Sequence, residues 1–137
     1  MGMANNVKIR GLVYDITHIS LFFDQRFDNF EPRSFVIPQW NIKKDETGEL
    51  VGTFSVTLSC EELQYILSYY EDTSDILNAN NEFTLSLTKD RYDTGTSFKF
   101  KFERCHIVDY SMSVVRGAEV RGKLVIEFKN VVHEHDA

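Results

Sequence analysis

The segment from Gly52 to Phe128 constrains the fold most, because within it the chain leaves a period-two pattern once and then returns to it. Thr53-Phe54-Ser55-Val56-Thr57-Leu58 alternates polar and apolar without a break, the signature of a strand with one buried face. Ser59-Cys60-Glu61-Glu62 follows directly. This is an S-x-x-E box, in which the Ser and Glu side chains satisfy amides left unpaired at a helix start. Leu63, Ile66, Leu67 and Tyr70 then recur at i, i+3, i+4 and i+7, so an amphipathic helix follows. Alternation returns in Phe83, Leu85 and Leu87, in Phe98, Phe100 and Phe102, in Val108, Tyr110, Met112 and Val114, and in Leu124, Ile126 and Phe128. Seven or eight strands at short spacing with one helix predict an all-β, mainly antiparallel barrel or sandwich, the helix covering an open end or a flank.

Upstream, Val7 to Arg10 and Leu12 to Ile16 read as strands around Gly11, and Ile19, Leu21 and Phe23 as the inner face of another. Patterning weakens from Gln25 to Gly52, which holds both prolines (Pro32, Pro38) and the only tryptophan, Trp40. That excursion exceeds the length of an ordinary loop, so it is expected to be an extended hairpin or a functional arm. Asp45-Glu46-Thr47-Gly48, Asp93-Thr94-Gly95 and Arg116-Gly117-Ala118-Glu119 carry turn chemistry, and a bend is expected near Cys105. Asp72 to Asn81 reads as a polar connector with Ile76 and Leu77 tucked inward. Residues 1–137 are thus read as a single domain, with an arm at about 26–48 and a short C-terminal tail at about 131–137.

Composition excludes several classes. A chain of 137 residues with 42% hydrophobic residues can bury a core without covalent staples. Its net charge of −6 gives no general affinity for nucleic acid or anionic membrane. No apolar run approaches the length of a membrane span. The first ten residues are polar and lack the apolar stretch of a secretion signal. Cys60 and Cys105 have no C-x-x-C spacing and read as free thiols of a reducing compartment. The chain is therefore expected to fold in the cytoplasm, and export would need a dedicated machine.

Candidate chemistry is thin. Cys60 opens the helix, where the macrodipole favours a thiolate, and His18 or His106 could complete a nucleophilic pair; a small apolar plug is the plainer reading. His133-Glu134-His135-Asp136 lacks the H-E-x-x-H spacing of a metal helix. Glu61 and Glu62 suit the positive end of the helix, whereas Glu71 and Asp72 oppose its dipole and are expected to face solvent or a partner's cation. Lys99/Lys101 and Arg121/Lys123 suggest a basic strip, either solvated or lining a polar channel. No catalytic, cofactor-binding or metal site is assigned, and no cofactor is expected.

The order of elements resembles the Hcp-type (TssD) tube protein of type VI secretion systems, in its Bacteroidetes-like form. The specific stretch is Phe102-Glu-Arg-Cys-His-Ile-Val-Asp-Tyr-Ser-Met-Ser-Val114, similar to an aromatic-acidic strand followed by an Ile/Leu-Val-acidic-Tyr-Ser pattern in that family. Gly52 to Val56 and Lys123 to Glu127 are similar in position and type, and the resemblance spans roughly Val7 to Val131. Phage tail-tube proteins share the architecture. The resemblance implies a non-enzymatic subunit of hexameric rings that stack into a tube. Its partners would be its own copies, sheath, baseplate or spike, and effector proteins, with cytoplasmic assembly followed by expulsion without a signal peptide. No nucleic acid and no membrane insertion are implied.

The arm from 26 to 48 does not align with that family. Its Phe27, Phe30, Phe35 and Trp40 lack the alternation that would bury them in a sheet, and aromatics of this kind anchor protein contacts. They are expected at the subunit interface. A small-ligand-binding β-barrel with a phenylalanine-lined pocket is the rival reading, and a Cys- or metal-dependent enzyme is a third.

Overall fold

The computed structural model describes residues 6–9, 12–15, 19–89, 98–113 and 120–134. Nine strands and two helices follow in chain order: β1 (Asn6–Ile9), β2 (Leu12–Asp15), β3 (Ile19–Phe23), β4 (Val36–Lys44), β5 (Leu50–Ser59), α1 (Cys60–Leu67), α2 (Thr73–Ile76), β6 (Phe83–Lys89), β7 (Phe98–Ser113), β8 (Arg121–Phe128) and β9 (Asn130–Glu134). β1 and β2 form a separate antiparallel pair. The other seven form one antiparallel sheet in the order β3-β6-β7-β8-β5-β4, with β9 also on β7. All-β architecture with one amphipathic helix is what the alternating runs predicted.

The sheet is built around β7, which is 16 residues long. Its first half ladders with β6 on one side and β9 on the other. Its second half ladders with β8, which in turn holds β5 and then β4. Between the halves sits Arg104 in the left-handed region, φ 50°, a conformation that costs an L-residue about 1–2 kcal/mol. Its guanidinium donates to the Lys129 carbonyl at 2.9 Å and pairs with Glu49. Lys129 N–H in turn donates to Glu103 O at 3.1 Å. Lys129 separates β8 from β9, so both strands of the long ribbon break at the same rung and are tied across it.

Bending there brings the two halves face to face. Trp40 of β4 meets Phe100 and Phe102 of β7 edge-on, with centroids 4.8 and 5.2 Å apart. Phe102 also contacts Phe54 at 5.0 Å and Phe128 at 4.9 Å. Inward residues alternate as expected along β5 (Phe54, Val56, Leu58), β6 (Phe83, Leu85, Leu87) and β8 (Leu124, Ile126, Phe128), all buried. Past the left-handed Arg104 the buried face of β7 switches to Cys105 and Ile107. A bulge between Ile107 and Asp109 switches it back, so that Tyr110, opposite buried Leu124, packs against the core as expected, while Met112 is exposed.

α1 starts with the Ser59 half of its capping box, the Glu62 carboxylate meeting the Ser59 hydroxyl and not its backbone amide. Ser59 Oγ accepts from Glu62 N–H at 3.2 Å and donates to the Glu62 carboxylate at 3.0 Å. Leu63 and Ile66 are fully buried, Tyr70 is buried just beyond the helix, and Leu67 is only half-buried. The helix comes close to β8 because Gly122 lies beneath it: a Cβ there would sit 2.5 Å from Leu63 Cδ2. In the connector, Asp72 is exposed as expected and also caps α2, accepting from Ser74 N–H at 3.2 Å. Ile76 is buried and Leu77 exposed, half of the expected pair. Val131 to Glu134, expected in a tail, instead ladder with β7. The turns at 93–95 and 116–119 lie outside the described residues.

Two predictions follow from the corner and the helix. Arg104→Ala should lower unfolding free energy by roughly 1–2 kcal/mol, losing a charge-assisted hydrogen bond and a largely solvated ion pair. Arg104→Gly should be about 1 kcal/mol more stable than Arg104→Ala in urea titration, because glycine relieves the left-handed backbone; equal midpoints and slopes would refute the corner assignment. Leu63→Ala should cost about 2–5 kcal/mol and Gly122→Ala about 1–3 kcal/mol, and unchanged melting of both would mean that α1 is not seated on β8.

Candidate functional site

The arm folds back instead of projecting. Asp24 accepts from Arg26 N–H at 3.1 Å and from Thr84 N–H at 2.8 Å, pinning a 3₁₀ turn at Gln25–Phe27 to the start of β6. Asp28 and Asn29 take left-handed conformations, which short polar side chains tolerate. The chain thereby reverses, and Phe23 N–H donates to Phe30 O at 2.8 Å. This reversal sends Phe27 inward, 5.1 Å from Phe83 and 5.8 Å from Phe23, fully buried. Phe35 is buried as well. Phe30 and Trp40 are half-buried against the same core. The structure therefore corrects the expected interface role of Phe27 and Phe35, which are core groups of the chain itself; Phe30 and Trp40 keep a partly exposed side. The rest of the arm is β4 and the turn after it, which pair back onto β5 as a hairpin. Pro38 lies where the β4 register shifts, between Val36 and Gln39, and is exposed.

Phe30 instead helps to form a surface cleft of about 550 Å³ beside the start of α1. Phe30 and Tyr65, whose rings lie 4.8 Å apart, line it together with Glu31, Arg33, Glu61 and Glu62. Glu62 is already engaged, because its second oxygen accepts from Arg33 N–H at 2.6 Å. Tyr65, 44% exposed, bonds to the Tyr69 hydroxyl, which donates to Asp28 at 2.6 Å. Hydrogen bonding to the Asp28 carboxylate and to Tyr65 pushes the Tyr69 phenol well above its usual range. Sequence reading missed this cleft because its parts lie some thirty positions apart and only the chain reversal joins them; the one local signal was Glu62 in the capping box.

The opposite face of β4-β5-β8-β7 is polar. A row crosses it from Asn41 to Thr53, Glu127 and His106. Asn41 donates to Thr53 Oγ1 at 2.8 Å, and His106 Nε2 lies 3.7 Å from Glu127. The expected basic strip is not formed. Lys101 sits opposite Ser86 and Val132 on one side of the corner, and Lys123 opposite Thr57 and Ser111 on the other.

The candidate nucleophile finds no base among the described residues. Cys60 is half-exposed, with Sγ 3.3 Å from Met112 Sδ. His106 is six residues away along β7, about 20 Å at strand rise, and His18 lies outside the described residues. Cys105 is buried, its thiol donates to Phe102 O at 3.2 Å, and burial pushes its pKa up. His133 stacks on Phe100 at 4.3 Å, whereas His135 and Asp136 lie outside the described residues. No group of three or more His, Cys, Asp or Glu side chains converges on a metal position among the described residues. No described helix is long and apolar enough to cross a membrane.

No protein-family profile and no curated protein matches the sequence. Among solved structures, the fold is similar to that in the crystal structure of a type VI secretion system effector from Yersinia pestis. That match covers 86% of this chain and 98% of the other, at 11% identity and a TM-score of 0.49. A likeness at that level bears on neither activity nor assembly.

Phe27→Ala should cost about 3–5 kcal/mol, as a fully buried aromatic does, while Tyr65→Ala should leave the melting temperature nearly unchanged. In native protein, iodoacetamide should label Cys60 and leave Cys105 untouched until denaturant is added; prompt labelling of Cys105 would contradict its placement in the core.

Proposed function

We propose that the chain is a structural subunit of the inner tube of a contractile secretion or injection machine, of the Hcp-like type VI kind. It forms hexameric rings that stack and carry effectors. The observation that carries this reading is the set of one-sided strands. Among the described residues, β3 and β4 end the sheet order with one partner each, and the second half of β7 ladders only with β8. Exposed edges of this kind are an aggregation hazard unless another strand closes them, and cyclic assembly closes them with copies of the same chain. The β1-β2 pair lies beside β4 without entering its ladder. Support also comes from the stretch that carries the sequence resemblance, Phe102 to Val114: its described residues, up to Ser113, contain the corner that sets where those edges point.

The subunit's role in this reading is mechanical and not catalytic. It needs no cofactor, assembles in the cytoplasm alongside sheath and baseplate or spike proteins, and leaves with the expelled tube. The ligand-binding barrel is less well supported. Phe54, Phe100, Phe102 and Phe128, which would line its cavity, contact one another or Trp40.

Light scattering on a sizing column should show a species of about six subunits, with annular particles by negative stain. A strict monomer at high concentration, without rings, would overturn the proposal.

A further inference from the structure

The cleft beside α1 brings an exposed aromatic ring together with two acids that the chain leaves unpaired. Tyr65 is 44% exposed even though Phe30 packs on it at 4.8 Å. Its ring is held in place through its hydroxyl. Tyr69 donates its proton to Asp28 at 2.6 Å, so Tyr65 is the donor in the 2.9 Å bond between the two tyrosines. Glu62 is committed to Ser59 and to the Arg33 N–H. Glu31 and Glu61 are exposed. Among the described residues, neither makes an ion pair or a side-chain hydrogen bond, with Arg33 or with any other group. Three carboxylates thus accompany one guanidinium. The positive end of a helix adds roughly half a charge, so the cleft stays negative.

We infer that the cleft receives an arginine side chain of a different protein, its guanidinium against the Tyr65 ring and hydrogen-bonded to Glu31 and Glu61. Its volume of about 550 Å³ lies in the range of sites that take a small ligand. Charge selects a cation, and the ring selects which one. A guanidinium is flat, weakly hydrated and stacks on aromatic faces, and its fixed fork of donors matches carboxylate oxygens. An ammonium is a compact, strongly hydrated point charge, and a metal ion would gain nothing from Phe30 and Tyr65. A second copy is a poor source of this cation. The chain carries a net charge of −6, and several of its cations stand beside acids. Lys43 and Lys44 adjoin Asp45, Glu46 and Glu49, Arg104 pairs with Glu49, and Lys101 lies 4.0 Å from Glu103. The Tyr65–Tyr69–Asp28 chain and the Glu62–Arg33 bond fix the cleft before binding, which lowers the ordering cost. This site does not rest on the tube reading, because a monomer and a ring present it alike.

The test is a saturation-transfer NMR titration of the full chain with the peptide acetyl-Gly-Arg-Gly-amide, beside its lysine and citrulline counterparts. The arginine peptide should bind, the lysine peptide severalfold more weakly, and the neutral citrulline peptide not measurably. Glu31→Gln/Glu61→Gln should weaken arginine binding by about tenfold or more, through loss of charge-assisted hydrogen bonds. Tyr65→Leu should weaken it severalfold. Glu46→Gln/Glu71→Gln removes the same charge from exposed positions outside the cleft and should leave binding unchanged. Should the cleft double variant fail to fold, Glu31→Gln and Glu61→Gln singly should each weaken binding severalfold. No binding of the arginine peptide, or equal binding of the citrulline peptide, would overturn the site. Equal loss in the two double variants would overturn it too, as general attraction to an acidic protein. Lysine binding as tight as arginine, with no effect of Tyr65→Leu, would refute the role of the ring and with it the choice of arginine. None of these outcomes bears on ring formation, which the sizing column reads separately.

Discussion

The corner at Arg104 is the constraint on which the remaining architecture depends. A straight β7 would hold the seven strands in one plane and leave Phe54, Phe102 and Phe128 facing water. The left-handed residue breaks the pleat, and its guanidinium fastens the break to the Lys129 carbonyl and to Glu49. One side chain thus joins β7, the β8–β9 junction and the turn at the tip of the β4–β5 hairpin. The exposed ion pair contributes little energy by itself. Its importance is geometric: it fixes where the two halves meet, and burial of the aromatic core supplies the stabilisation.

That division explains what could be read from the sequence. Local signals were legible because local physics decides them: the Ser59–Glu62 cap, the inward rows of β5, β6 and β8, and the Asp45–Gly48 turn. The inward stretch of Cys105 and Ile107 was not legible, because two irregularities in one strand shift the pleat and then restore it for Tyr110, and a bulge leaves no compositional mark when its residues remain strand formers. Asp72 is exposed as expected, but its capping of α2 was not read, because that helix is a single turn without apolar periodicity. The two lysine pairs were joined by analogy of pattern, and the corner separates them.

The arm aromatics teach the same lesson from the opposite side. Phe27 has no periodic neighbours, so nothing local indicates which way it points. Asp24 decides, by bonding to Thr84 sixty positions away and reversing the chain. The same reversal creates the cleft from Phe30, Tyr65 and the acids of α1. Core and surface are therefore coupled: the loop that seats Phe27 also shapes the concave face beside the helix. In the tube reading, the subunit then presents its one-sided strand edges to neighbouring copies.

Hydrogen–deuterium exchange at two protein concentrations tests this account most directly, because amides on one-sided strands are open to solvent unless a neighbour pairs with them. On going from dilute to concentrated protein, at least two of β3, β4 and the second half of β7 should gain protection, while β8, already laddered on both sides, should not change. Identical exchange of all three at both concentrations, in protein that remains folded, would contradict the claim that these edges are closed by copies of the chain.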